Sequence, residues 1–171
     1  PYTTLFRSVM GSNVLISSSG VDVDPDMLWT GSELAIAWIG STEGGDVYFT
    51  RINGEGYRNG SDVQITDDTN TQTHPSLTWS GSQFGVVWKD DRDTTDRIYM
   101  RRLDVDGTPL GSELQVSQDM HETMSAATIA WSGSEYGVAH VTYTSGVDTY
   151  LTRVSAAGAI IEPHVEVESG M

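Results

Sequence analysis

One sequence pattern occurs three times in this chain, and it constrains the fold more than any other feature. The clearest copy runs from Pro75 to Gln118, with one copy before it and one after it. The first tryptophans of the copies lie 50 and 52 residues apart, and their arginines lie 51 residues apart. These positions are Trp29, Trp79 and Trp131, and Arg51, Arg102 and Arg153. Self-similarity at one period of this size is typical of architectures that stack a single supersecondary unit.

Each copy contains the local signals of β-strands. The large residues Phe84, Val86 and Trp88 alternate with smaller ones, which is the period of a strand with distinct faces. The Ser80-Gly81-Ser82 segment that precedes them suits a tight hairpin turn, because glycine accepts the positive φ that such turns need. A second turn follows in each copy, at Asn53-Gly54, Asp106-Gly107 and Ala157-Gly158. Each copy therefore predicts four short strands, named A to D, joined as a meander.

Four antiparallel strands that recur at this period predict a β-propeller type of fold. We expect an all-β chain whose blades span residues 25–74, 75–126 and 127–171. Residues 11–17 match the strand D segments of the later copies, so residues 9–24 are expected to supply one extra strand, the outer strand of a preceding blade, and a linker. Three blades are fewer than the four to eight of closed propellers, which predicts an open or partial ring.

The aromatic and arginine positions of the repeat have a structural interpretation. We expect the first tryptophans to be buried between blades, and we expect Trp131 to matter least because no blade follows the third. The arginines on strand C are placed to bridge neighbouring blades. The repeat positions are Trp29, Trp79 and Trp131, Trp38 and Trp88, Tyr48, Tyr99 and Tyr150, and Arg51, Arg102 and Arg153.

The composition argues against several classes of function. The 24 acidic and 9 basic residues give a formal charge of −15 at pH 7, which would repel the phosphates of a nucleic acid. The chain has no cysteine, so it can form neither disulfides nor thiolate metal sites. No apolar run is long enough for a membrane-spanning helix.

The first eight residues, Pro1 to Ser8, differ from the repeat. They are similar to the conceptual translation of a short-read sequencing adapter, which would make them an assembly artefact at the start of a metagenomic gene fragment. Segments of this kind are excluded from fold reasoning. On this interpretation the natural chain extends upstream of about Val9, and a signal peptide cannot be observed.

The copies share a motif that reads Trp-x-Gly-Ser, then a second Trp, then Tyr-x-x-Arg. The second copy carries it in Pro75, Trp79, Gly81, Phe84, Val86, Trp88, Tyr99, Arg102, Leu103 and Asp104. This motif resembles the β-propeller repeats of large secreted or surface-exposed bacterial proteins. The third copy departs from it, with Ala127 in place of the proline and His140 in place of the second tryptophan. The resemblance implies the fold and an extracellular or cell-surface location in a bacterium, but fold alone does not give function.

The candidate site residues lie in the D-to-A and B-to-C loops, which a meander brings to one end of its sheets. The stretch from Lys89 to Asp96 offers hard oxygen ligands to Ca²⁺, although its alternating charges also suit a loop held by its own ion pairs. His74 and His121, interpreted as D-to-A loop residues, could each pair with carboxylates as a base or a zinc site. The candidate ligand-binding residues are Asp90, Asp91, Asp93, Asp96, His74 and His121, and the candidate calcium ligands are Asp90, Asp91 and Asp93.

Two classes of function fit these features. The first is a non-catalytic binding or structural module that contacts glycan or protein through its acidic loop face. The second is a fragment of a propeller glycoside hydrolase or sialidase-like enzyme, in which carboxylates of successive blades converge. The sequence favours the first, because the acids follow no distinctive pattern and the sialidase aspartate box, Ser-x-Asp-x-Gly-x-Thr-Trp, is absent. No catalytic residue is assigned, calcium is the candidate cofactor, and the expected partners include further blades or a second copy of the chain.

Overall fold

The computed structural model describes residues 15–16, 22–40, 45–93, 95–117, 122–123, 126–143 and 146–168, with backbone alone at 122–123 and 162–168. These residues contain strands and no helix, which confirms the prediction of an all-β chain. The strands are β1 (Asp22–Trp29), β2 (Glu33–Gly40), β3 (Asp46–Asn53), β4 (Val63–Gln64), β5 (Gln72–Trp79), β6 (Phe84–Asp90), β7 (Arg97–Leu103), β8 (Pro109–Gln115), β9 (Glu122–Thr123), β10 (Thr128–Trp131), β11 (Glu135–Tyr143), β12 (Val147–Ser155) and β13 (Ile160–Glu168).

The strands form three antiparallel sheets, and the four strands of each main path follow chain order. Sheet 1 is β1-β2-β3-β4, sheet 2 is β5-β6-β7-β8, and sheet 3 is β10-β11-β12-β13. The short β9 pairs with the same strand as β10, at the far end of β11, so β9 and β10 together take the place of strand A. The four-stranded meanders are therefore as predicted. The described sheets form no closed ring, and their arrangement as propeller blades stays a prediction.

The turns from strand A to strand B have the same chemistry in all three sheets. The glycines Gly31, Gly81 and Gly133 have φ angles of 106°, 95° and 103°, a conformation that residues with a Cβ rarely adopt. In each turn the hydroxyl of the residue before the glycine accepts a hydrogen bond from the backbone amide two residues after the glycine. The distances in the three sheets are 3.1, 2.9 and 3.1 Å. The hairpins predicted from the sequence therefore form where their glycines lie.

Strand A of sheets 1 and 2 contains a bulge that the sequence analysis did not predict. The pairing register shifts within Val23–Asp26 of β1 and within Thr73–Ser76 of β5. Asp24 and His74 occupy the matching positions, with φ angles of 52° and 51°, and each precedes a proline, which cannot donate to a ladder. His74 therefore lies inside a strand, and its assignment to a D-to-A loop is wrong. The predicted blade starts at residues 25 and 75 also fall inside β1 and β5.

Each sheet has two faces, which we call the front face, toward the preceding sheet of the chain, and the back face, toward the following one. The back of sheet 1 packs on the front of sheet 2 through Ala35, Ala37, Ile39, Val47, Phe49 and Ile65 against Leu77, Phe84, Val86, Trp88, Tyr99 and Leu103. The back of sheet 2 packs on sheet 3 through Val87, Ile98, Met100 and Val116 against Ala127, Ile129, Tyr136, Val138 and Val154. Consecutive residues of β6 thus serve opposite interfaces, as the two-residue period of a strand requires.

The first tryptophans are not equally buried, which corrects two expectations. Trp79 and Trp131 are partly buried against Phe84 and Tyr136, with ring centroids 4.3 and 4.7 Å apart. They pack on the front side of their sheets, so Trp131 is covered by sheet 2 and does have a neighbour. Trp29 is 38% exposed, because no sheet precedes sheet 1 within the described residues.

Candidate functional site

The predicted acidic site residues lie at one end of sheet 2, but they do not face a common point. Asp90 is the last residue of β6 and is fully buried, whereas Asp91 and Asp93 are exposed in the loop that leads to β7. Each of the loop carboxylates has a different partner. The pairs are Asp91 Oδ1 with the amide of Thr71 at 2.7 Å, Asp93 Oδ2 with the hydroxyl of Tyr99 at 2.5 Å, and Asp96 with the ammonium of Lys89.

Arg92 is the centre of the charged groups at this end of sheet 2. Its Nε and Nη2 donate to the two oxygens of Asp90 at 2.9 and 2.5 Å, which makes a bidentate pair. Its Nη1 donates to Glu113 Oε2 at 2.5 Å, and its Nη2 lies 3.2 Å from Asp68 Oδ2. The guanidinium also lies over the Tyr99 ring, 4.2 Å from the ring centroid. One side chain thus joins β6, β7, β8 and the loop from sheet 1.

These contacts shift the pKa values of the groups around Arg92. Burial alone would raise the pKa of Asp90, but hydrogen bonds from Arg92 and from Trp88 Nε1, at 2.9 Å, outweigh burial and lower the pKa. The hydrogen bond to Asp90 raises the pKa of Arg92. Burial, followed by the hydrogen bond to Asp93, raises the pKa of Tyr99. Asp90 is therefore held as a carboxylate, which makes it a poor general acid.

A chain of polar side chains continues from Arg92 into sheet 1. Asp68 accepts a hydrogen bond from Gln72 Nε2 at 3.0 Å. The hydroxyl of Thr66 lies within hydrogen-bonding distance of both Gln72 Oε1, at 3.2 Å, and Asp46 Oδ1, at 3.1 Å. Thr66, Gln72 and Asp46 are buried. The acidic end of the interface between sheets 1 and 2 is therefore a network of internal contacts.

The sequence analysis named Asp90 as a candidate site residue but did not identify the side chains that connect it to sheet 1. Gln72, Thr66 and Glu113 belong to no motif with a diagnostic spacing, so no sequence signal pointed to them. Arg92 had one signal, the alternation of charge from Lys89 to Asp96. The alternative interpretation of that stretch, a loop held by its own ion pairs, accounts for the contacts of Lys89 and Arg92.

The predicted calcium ligands are not assembled into a cation site. Asp90, Asp91 and Asp93 are engaged by an arginine, a backbone amide and a tyrosine. Within the part of the chain that the structure describes, no three His, Asp or Glu side chains lie close enough together to hold a metal ion. Calcium binding by these residues stays a prediction, and it would require the carboxylates to exchange their present partners for Ca²⁺.

His74 lies on β5, where this strand is next to β1 of sheet 1. Its Nε2 is 4.0 Å from Asp24 Oδ2, and both side chains are exposed. The two residues hold the same bulge position in β5 and β1. Between these strands, Asp26 Oδ2 accepts a hydrogen bond from the backbone amide of Leu77 at 2.9 Å. His121, the other histidine predicted as a site residue, lies outside the described residues.

The second tryptophans and the tyrosines form one cross-strand ring pair in each sheet. Trp38 stacks on Tyr48 and Trp88 on Tyr99, with ring centroids 5.8 and 6.4 Å apart. In sheet 3, His140 stacks on Tyr150 at 6.2 Å. Since Trp88 is fully buried and Trp38 is 5% exposed, these rings contribute to packing and are not placed to stack on a ligand.

The repeat arginines contact their own sheet and, in two cases, the next one. Arg51 donates to Glu33 at 3.1 Å and pairs with Asp106 of sheet 2 at 3.2 Å. Arg102 donates to Gln83 Oε1 at 3.1 Å and to the carbonyl of Ala156 in sheet 3 at 2.8 Å. In sheet 3, the guanidinium of Arg153 forms a bidentate pair with Glu135, at 2.6 and 2.8 Å.

No protein-family model and no curated protein matches this chain. Among the residues that the structure describes, no helix is long and apolar enough to cross a membrane. The function must therefore be argued from the geometry of the sheets and of their acidic end.

Proposed function

We propose that this chain is part of a non-catalytic β-propeller-type module of an extracellular bacterial protein, with a binding or structural role. The observation that carries this proposal is the buried and ionised side chain of Asp90. Its side chain is buried, bonded on both oxygens and held ionised by Arg92 and Trp88. A glycosidase needs a carboxyl group whose pKa is raised, so that it can donate a proton, opposite a second carboxylate. The opposite shift at Asp90 supports a structural role for the most buried acid of this end.

Ligand contact then falls to the exposed groups at the same end of the sheets. Asp24, Asp91 and Asp93 are exposed carboxylates, and His74 is exposed beside Asp24. Carboxylates accept hydrogen bonds from sugar hydroxyls and attract basic side chains of a protein. Asp24 and His74 lie on strands, and hydrogen bonds to Thr71 and Tyr99 hold Asp91 and Asp93, an arrangement that suits a binding site.

The test compares binding with turnover on the same glycans. The chain is applied to a glycan array with and without Ca²⁺, and release of reducing sugar is measured in parallel. We expect either binding without product, which supports a binding module, or neither binding nor product, which supports a structural one. Release of a sugar product contradicts the proposal.

A matched pair of variants locates the ligand. The double substitution Asp91→Asn and Asp93→Asn removes two exposed charges from the loop that follows β6. The control is Asp67→Asn, which removes an exposed charge from the loop between β4 and β5. Loss of glycan binding in the first variant alone places the ligand at the β6 loop, and equal loss in both contradicts that location.

A further inference from the structure

The repeat arginines Arg51 and Arg102 hold equivalent positions on strand C of sheets 1 and 2. Two carboxylates pair with Arg51. Glu33 of the same sheet lies 3.1 Å away, and Asp106 of sheet 2 lies 3.2 Å away. The Arg51 side chain is 10% exposed, and a charge buried to this degree is normally balanced by a partner. The charge of Arg51 is therefore balanced within the chain.

Arg102 has no such carboxylate partner among the described residues. Gln83 stands where sheet 1 has Glu33. The Nη1 of Arg102 donates to two uncharged oxygens, Gln83 Oε1 at 3.1 Å and the Ala156 carbonyl at 2.8 Å. Its Nε and Nη2 donate to none of the residues that the structure describes. The positive charge of this guanidinium is therefore solvated but not neutralised by them.

The turn from strand C to strand D explains the loss of the second carboxylate. The turn glycines Gly107 and Gly158 both have a φ of 87°. Each donates its amide to the carbonyl three residues earlier, at 3.0 and 2.8 Å. The residue before the glycine is Asp106 in sheet 2 and Ala157 in sheet 3. The turn of sheet 3 therefore brings a methyl group, and no carboxylate, toward the arginine of the preceding sheet.

Sheet 1 has the same turn, with Gly56 as its glycine. The φ of Gly56 is 88°, and its amide donates to the Asn53 carbonyl at 2.9 Å. The turn glycine of sheet 1 is therefore Gly56, and not Gly54 as the sequence predicted. Because all three sheets share this conformation, residues at the same place in the turn can be compared directly.

A cavity of ≈ 310 Å³ lies beside Arg102, between strand D of sheet 2 and the turn of sheet 3. Its lining includes the apolar residues Met100, Leu114 and Ala157 and the polar residues Arg102 and Ser112. Pockets that bind small molecules have volumes of about 300 to 1,000 Å³. The cavity is therefore large enough for a small ligand.

Glu113 also lines the cavity, but its carboxylate is engaged by other arginines. Its Oε2 accepts a hydrogen bond from Arg92 at 2.5 Å, and its Oε1 lies 3.8 Å from Arg101 Nη1. Arg92 in turn lies over the ring of Tyr99, which packs on the front of sheet 2. The negative charge of Glu113 is thus already balanced, whereas the positive charge of Arg102 is available to a ligand.

The cavity occurs where the side chains are smaller than at the first interface. A Cβ on Gly107 would lie 2.7 Å from the Phe49 ring, so the turn of sheet 2 packs closely on that ring. Met100 takes the place of Phe49 in sheet 2. The Asp106 side chain is 74% exposed, so the corresponding place beside Arg102 lies near the surface. A ligand from solution can therefore reach it.

From this comparison we propose that the cavity binds a small organic acid, whose carboxylate takes the place beside Arg102 that Asp106 takes beside Arg51. The N–H groups of a guanidinium match the two oxygens of a carboxylate, which makes this pairing strong and directional. The apolar residues Met100 and Leu114 suit the body of such a ligand. Arg102 lies at the start of the ladder with β6, and Asp90 at its other end, so the site is separate from the acidic loops.

The first test follows the arginine Nε–H resonances of the full chain by NMR while small acids are added. The Arg102 resonance is identified by its loss in Arg102→Lys. Acetate presents the carboxylate alone, glucuronate presents it on a sugar ring, and glucose is the uncharged control. We expect both acids to shift the Arg102 resonance with millimolar half-saturation, and glucose to leave it unchanged. Tighter binding of glucuronate would identify a sugar acid as the source of the carboxylate, and tighter binding of acetate a simple acid.

The second test restores the carboxylate that the turn of sheet 3 lacks. In Ala157→Asp the Arg102 resonance should shift without ligand, in the direction that acetate causes in the wild type. Acetate affinity, measured by saturation transfer to its methyl group, should fall at least about tenfold, because the new side chain competes for the guanidinium. The matched control is Ala159→Asp, which adds the same charge at another exposed position of this turn and should keep most of the affinity.

Three results would overturn the proposal. The first is an Arg102 resonance that does not move at about 50 mM acetate or glucuronate, a concentration far above a millimolar dissociation constant. The second is an equal loss of acetate binding in Ala157→Asp and Ala159→Asp. The third is inorganic phosphate that binds as tightly as acetate, because the site would then select charge and not a carboxylate. Near-UV circular dichroism verifies that each variant is folded.

Discussion

The two interfaces between the sheets have the same backbone plan but different side chains. Between sheets 1 and 2, Phe49 and Phe84 meet with ring centroids 4.9 Å apart. Between sheets 2 and 3, Tyr136 holds the position of Phe84, and Gly85 lies beneath it, where a Cβ would be 3.0 Å from the ring. A larger ring on one sheet is thus accommodated by a smaller residue on the other. The two interfaces thus reach close packing with different side-chain volumes at equivalent positions.

The buried tryptophans of sheets 1 and 2 also have different hydrogen-bond acceptors at equivalent places. In sheet 2, Trp88 Nε1 donates to Asp90, two residues further along the same strand, at 2.9 Å. In sheet 1, Trp38 Nε1 donates to Asp22, on the neighbouring strand, at 3.2 Å. Gly40 stands at the position of Asp90 there, and a Cβ on it would lie 2.7 Å from the Tyr48 ring. A buried indole N–H needs an acceptor, and the two sheets supply it from opposite members of one cross-strand pair.

The largest expected effect distinguishes a fully buried ring of sheet 2 from an exposed ring of sheet 1. Trp88→Ala should lower the free energy of unfolding by about 3 to 5 kcal/mol, because a fully buried ring leaves both lost transfer energy and a cavity. Trp29→Ala should cost about 1 kcal/mol or less, since that ring is 38% exposed. Urea unfolding measures both, and equal losses would contradict the difference in burial between the two rings.

The next effect tests the turn that spaces the sheets. Gly107→Ala should cost about 2 to 4 kcal/mol, because the positive φ is strained for alanine and the new methyl group meets the Phe49 ring. The matched control is Gly111→Ala, whose φ is 73° but where a Cβ meets nothing within 4 Å. That variant should cost about 1 to 2 kcal/mol from backbone strain alone. Thermal and urea unfolding of the pair give the difference, and a cost no greater at Gly107 would contradict the close contact.

The smallest effect concerns the charged network around Arg92, at the interface between sheets 1 and 2. Asp90→Asn should cost about 1.5 to 3 kcal/mol at neutral pH, because charged hydrogen bonds to Arg92 are lost. The pKa of Asp90 is lowered on folding, so its contribution is complete above the unfolded value of about 3.9 and is lost as the pH falls through the folded value. Urea unfolding from about pH 8 to pH 3 should show the difference shrinking only below about pH 4.

The control for this prediction is Asp67→Asn, since Asp67 is exposed. Its unfolding free energy should differ little from that of the wild type at every pH. A difference at Asp90 that stays constant down to the lowest pH would show that the substitution acts through shape, and not through the charge that Arg92 stabilises.

The sequence by itself determined the number of sheets, the four-stranded meander of each and the hairpins between strands A and B. Alternation in Phe84–Trp88 and glycine at Gly31, Gly81 and Gly133 are local signals, and local signals are sufficient for hairpins. The acidic loop from Lys89 to Asp96 was also visible, including its own ion pairs as one of two interpretations. These features depend on residues close together in the chain, where the geometry of the backbone leaves few alternatives.

Only the tertiary structure decided which face of each sheet meets which neighbour. The sequence shows that Trp131 and Trp29 are equivalent, but it does not show that their rings point toward the preceding sheet, so the prediction chose the wrong end of the chain as uncovered. The sequence likewise did not reveal that His74 lies in a bulge, or that Asp90 is joined to Gln72 through Arg92 and Asp68. Burial and pKa depend on contacts between residues distant in sequence, and those contacts exist only after the sheets have packed.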